Sequence, residues 1–166
     1  TTQDPGSDIV VTSGTTTGAI TLDGNVTALD QLTLTSNGTG NITQTSGAIL
    51  AANLLVTAVG DATLNQATNN VATLAADLNP GSFAYTDVDG LSIGTVATTS
   101  GITTGNGGDG GDVTINAPNG TIVVDQSIDT SPGSGGGIIM TGGVTPNATM
   151  TAGGGTITLN GDSGST

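Results

Sequence analysis

The chain of 166 residues has no lysine, arginine, histidine, cysteine or tryptophan, and only one phenylalanine and one tyrosine. Each absence removes a class of function. Nucleic-acid binding needs cationic side chains to displace the counterions of phosphate, so it is excluded. Attraction to an anionic membrane surface fails for the same reason. Catalytic schemes built on an imidazole, a thiolate or a lysine amine have no residue to run them. All thirteen acidic residues are aspartate, the net charge is −13, and no side-chain salt bridge can form. Trypsin-like proteases find no cleavage site. Without cysteine no disulfide staples the chain, which leaves the redox compartment open. No run of eighteen apolar residues is present to span a membrane, so no membrane insertion is expected. The opening TTQDPGSD has neither the basic nor the apolar region of a signal peptide, and a secreted form is expected to be a mature or excised piece.

Aromatics supply much of the buried area in ordinary cores, so this interior must be built from valine, isoleucine, leucine and alanine. Glycine (29) and threonine (33) dominate the remainder. Regularly placed β-branched residues argue for order, because disordered chains are poor in them.

A short phrase recurs: glycine, any residue, an apolar residue, usually threonine, often another apolar residue. It reads GAITL from Gly18, GNITQ from Gly40, GDATL from Gly60, GSFAY from Gly81, GDVTI from Gly111, GGIIM from Gly136 and GTITL from Gly155. The glycines are 22, 20, 21, 30, 25 and 19 residues apart. In the first three repeats a second apolar pair follows at offsets 14 and 16: Leu32/Leu34, Leu54/Val56 and Leu74/Ala76. Later repeats keep a second piece, LSIGTV (Leu91–Val96) and TIVV (Thr121–Val124), at drifting offsets. Apolar residues alternate within each piece, the period of a strand with one buried face. ILAANLLVTA (Ile49–Ala58) comes nearest to a helical stripe, but its place in the repeat predicts a strand.

Short strands at such spacing also suit a β-sandwich. A sandwich, however, gives no reason for residues about 22 apart to share a type, whereas a solenoid stacks them. The expected fold is therefore all-β, a parallel β-helix (β-solenoid) of about seven coils of 19–30 residues, with a β-sandwich as the alternative. Seven rungs make a rod about 34 Å long at about 4.8 Å each. One domain is expected: a polar lead over 1–7, coils over 8–161 and a polar tail over 162–166. The outermost strands, DIVVTSG and TITLNG, have no evident cap, which suggests stacking end to end or continuation in a longer chain.

The run from Ala62 to Ala117, with LAA at Leu74, FAYTDVDG at Phe83–Gly90, LSIGTV and GITT, resembles repeats of very large secreted bacterial surface proteins. These are of the filamentous-haemagglutinin and β-strand-repeat type. The resemblance implies a right-handed parallel β-helix, export to the cell surface, and roles in adhesion, biofilm or extracellular fibres.

Candidate sites are few. Gly107-Gly108-Asp109-Gly110-Gly111-Asp112 matches the first six positions of the calcium nonapeptide GGxGxDxUx, but the large apolar position falls on Thr114 and a second nonapeptide is absent. A lengthened corner loop is the simpler reading, and a phosphate loop fails for want of a lysine. Asp87 and Asp89 in TDVDG are spaced like a fragment of a calcium loop, without its distal glutamate; a solvated turn is the simpler reading. No cofactor is expected, and calcium at Asp109, Asp112, Asp87 or Asp89 is the single ion these residues offer. An Asp87/Asp89 glycosidase pair has no cation to tune it, so no enzyme is expected. Thr33/Thr35, Thr43/Thr45, Thr149/Thr151 and Thr156/Thr158 raise an ice-binding alternative, against the ordinary use of threonine on outer strand faces. Five Asn-x-Thr sequons, at Asn25, Asn37, Asn41, Asn119 and Asn147, are glycan acceptors in a glycosylating host. The expected function is a structural segment of an extracellular or cell-surface filament whose partners are copies of itself, head to tail, with other surface polymers or glycans as further candidates. An adhesin stalk or binding module is the alternative.

Overall fold

The computed structural model describes residues 6–105, 109–131 and 134–161. The polar tail 162–166, the first five residues of the lead, and Gly107 and Gly108 of the nonapeptide match lie outside the described residues. Among the described residues all regular structure is β-strand, and every strand pairing is parallel except one short hairpin. Parallel strands joined by corners form a β-solenoid of about seven turns. The sandwich alternative needs antiparallel neighbours in two packed sheets, which this topology lacks.

The glycine phrase marks one column. Ile20, Ile42, Ala62, Phe83, Val113, Ile138 and Ile157, each two residues after its glycine, are direct rung partners in that order. The offsets 14 and 16 mark two more: Leu32, Leu54 and Leu74 stack, as do Leu34, Val56 and Ala76. All of these but Ile157 are buried. Side chains alternate across a strand, so the intervening Thr21, Thr43 and Thr63 stack on the outer face. Ile49–Ala58 is a strand, as its place in the repeat predicts.

Long strands carry the chain around corners. Val26–Ser36, Ile49–Ala58 and Asn70–Leu78 each supply two walls, with the bend at a register shift between Ala28 and Gln31 in the first pair. Each coil buries few apolar atoms by itself, so its stability comes from the coils above and below.

The 30-residue interval between Gly81 and Gly111 is divided differently from the expected lengthened corner. Ile93 pairs with Leu74 and Ile102 with Ala76, so nine residues separate positions that are two apart in the coil beneath. The seven extra residues hold an antiparallel hairpin, Thr95–Val96 against Thr99–Ser100. The hairpin lies back on the Asn70–Leu78 strand; Val96 is buried, and so is the outward-facing Ala75. From Thr104, the partner of Leu78, to Gly111 is seven residues, against three from Leu78 to Gly81. The glycine run therefore adds only four residues, and the hairpin is the larger insertion.

Candidate functional site

The corner before each phrase is where the sequence places its most site-like residues, and the structure shows why glycine stands there. A Cβ on Gly81 would overlap the Gly60 carbonyl oxygen, and one on Gly111 would meet Ser82 N at 2.5 Å. Backbone passes over backbone too closely for any side chain. Hydroxyls pin these corners: half-buried Ser13 and buried Ser36, Thr104 and Thr130 donate to the carbonyls of Gly18, Gly40, Gly111 and Gly136 at 2.9, 2.8, 2.7 and 2.6 Å.

The residue after four of these glycines forms a second device. Asn41 Oδ1 accepts from Asp61 N (3.0 Å), Asp61 Oδ1 from Ser82 N (2.8 Å), Ser82 Oγ from Asp112 N (3.2 Å) and Asp112 Oδ1 from Gly137 N (2.7 Å). Each side chain braces the backbone of the next coil. Asp109 does the same one corner earlier, accepting from Ser134 N at 3.0 Å. That hydrogen bond holds its carboxyl below the ordinary range. Both carboxylates of the candidate calcium loop are thus engaged as inter-coil braces, and both are exposed.

Asp87 and Asp89 part company. Asp89 is exposed, while Asp87 is fully buried at the corner after Phe83–Thr86. Asp87 Oδ2 accepts from Val71 N (3.0 Å) and from the Tyr85 hydroxyl (2.9 Å), and Oδ1 accepts from Asp89 N (3.2 Å). In the coil below, Asn69 holds the matching place: its Oδ1 accepts from Ile49 N (2.8 Å), and it exchanges two amide hydrogen bonds with buried Gln44. One coil further down the partner is simply the Ala48 carbonyl, accepting from Val26 N at 2.8 Å. Side-chain oxygens therefore replace a backbone carbonyl at two successive corners. Burial pushes the Asp87 carboxyl up to about 6 against the pull of its three donors. Burial, helped by the facing Asp87 carboxylate, drives the Tyr85 phenol well above its usual range. The alternating pattern marks Tyr85 as inward, but nothing in TDVDG signals that only the first aspartate turns inside.

Among the described residues no three acidic side chains gather where a metal ion would sit. A shallow groove of about 250 Å³ lies over Thr27, Leu29, Leu50, Ala52 and Asn70. The threonine pairs do not form one array. Thr43, Thr63, Thr114 and Thr158 share a column interrupted by Ala84 and Ile139, while Thr35 and Thr151 lie on another wall with Asp77 and Asp129 between them. The five sequon asparagines are exposed. Asn41 is a brace, and Asn147 donates to Asp125 at 2.7 Å.

The fold and its corners define a β-solenoid repeat protein. No protein-family model, no curated protein and no solved structure matches the chain.

Proposed function

We propose that this chain is a structural segment of an extracellular or cell-surface filament. The observation that carries the reading is the state of two apolar columns at the last described rung. Ile138 and Met140 are fully buried, whereas Ile157 and Leu159, the next members of the same two columns, are 42% and 44% exposed. Among the described residues the strand Ile157–Asn160 pairs on one side only, and Ile9–Ser13 likewise. An open rung with an apolar inner face accepts a further coil by the interaction that joins its own coils. Head-to-tail copies supply one, since Ile20 and Leu22 begin the columns that Ile157 and Leu159 end. The aspartates that line the outside keep such rods apart and soluble. The likeness of Ala62–Ala117 to filamentous-haemagglutinin-type repeats supports a place on a bacterial surface.

The test is sedimentation velocity of the purified chain across a concentration series, with Leu159→Asp as the comparison. Self-association in the wild type that Leu159→Asp abolishes supports the filament. Monomers at every concentration favour the second reading, an adhesin stalk or binding module, to which the exposed hairpin turn at Ala97 and Thr98 gives a candidate surface.

A further inference from the structure

Asp87 is the one aspartate among the described residues that is wholly inside the solenoid, and the chain contains no cation anywhere to pair with it. An isolated carboxylate in such a place is stabilised only by donated hydrogen bonds, and three converge on it. The titratable groups facing it are Tyr85, on the strand that precedes it, and Asp89, two residues on. The strands packed against it contribute only backbone, Val71 N from below and Asn116 O, which accepts from Asp87 N at 2.8 Å, from above. Asn69 performs the same backbone-capping task one coil down without a charge. Capping therefore does not require an ionisable group, yet this corner has one.

We infer that Asp87 is a proton-operated lock at the corner joining the Asn70–Leu78, Phe83–Thr86 and Val113–Val124 strands, closed when the carboxyl is protonated and loosened when it ionises. In the ionised form three donors face a charge sealed from water. In the protonated form the proton sits on Oδ1, which gives up the longest of the three bonds, that from Asp89 N, while Oδ2 keeps both Val71 N and the Tyr85 hydroxyl. The corner is thus held more tightly in mildly acidic surroundings than in neutral ones. This extends beyond a filament role and holds for a single solenoid, whether or not copies associate.

The experiment is a carbon-detected NMR titration of the aspartate side-chain carboxyls in the full chain, with amide exchange at Val71 read in parallel. The expected result is one carboxyl with a midpoint near 6, and slower exchange at Val71 below that midpoint than above it. Asp87→Asn should remove that titration and make Val71 exchange insensitive to pH beyond the intrinsic chemical rate, whereas Asp89→Asn should leave both in place. An Asp87 midpoint in the ordinary carboxyl range, or Val71 protection that does not change across the midpoint, overturns the inference. The wild-type titration decides the matter even if Asp87→Asn fails to fold.

Discussion

Replacing Leu54 by alanine tests the stacking register directly. Leu54 is fully buried between Leu32 and Leu74 in the same column. The change deletes three carbon atoms, a transfer loss of about 2.4 kcal/mol at about 0.8 kcal/mol per methylene. The two leucines above and below are fixed by their own rungs and close the gap only partly, so a cavity term brings the total to about 3–4 kcal/mol. Leu50 sits on the same strand with its side chain outward and 39% exposed. Its replacement by alanine should cost about 0.5 kcal/mol, as at other surface positions. Urea unfolding followed by far-UV circular dichroism measures both. A loss at Leu50 as large as or larger than that at Leu54 would refute the register, because a one-residue slip exchanges the faces of the strand and would bury Leu50 in place of Leu54.

Three further outcomes are expected. Gly81→Ala should destabilise by about 2–3 kcal/mol through overlap with the coil beneath, while Gly14→Ala, where a Cβ meets nothing within 4 Å, should be close to neutral by thermal melting. Asp112→Ala removes the acceptor for Gly137 N and should cost about 1 kcal/mol in the same assay. The Asp87 carboxyl titrates near 6 when folded against an ordinary 3.8, so the folded state holds the proton more tightly than the unfolded chain. Its favourable contribution is complete below about pH 4 and is lost as pH rises through 6, a change of about 3 kcal/mol. The wild type should melt higher at pH 5 than at pH 7, and Asp87→Asn should lose most of that difference.

The columns were legible because a solenoid converts sequence spacing into height. Phrases that begin with glycine at intervals of 19–30 residues placed all seven members of the Ile20-to-Ile157 column in register before any coordinates. The glycines were conspicuous because corner backbone leaves no room for a Cβ. The hairpin was not legible. Its turn at Ala97 and Thr98 carries no Asn-Gly or Asp-Gly signal, and Ala97 adopts φ 53°, a backbone that alanine rarely takes. The buried polar residues Gln44, Asn69 and Asp87 were hidden for a different reason. Polar residues at corners read as solvated turns, and which of two nearby aspartates turns inward depends on the strand above and the strand below. Asp61 and Asp112 share a signal that was available, their common place directly after a phrase glycine, and it marks them as braces.

Electron microscopy of the purified full chain, combined with fibre diffraction from aligned specimens, tests the filament most directly. Unbranched filaments one solenoid wide, with a strong meridional spacing of about 4.8 Å, are the predicted result. A uniform population of single short rods at every concentration would contradict it.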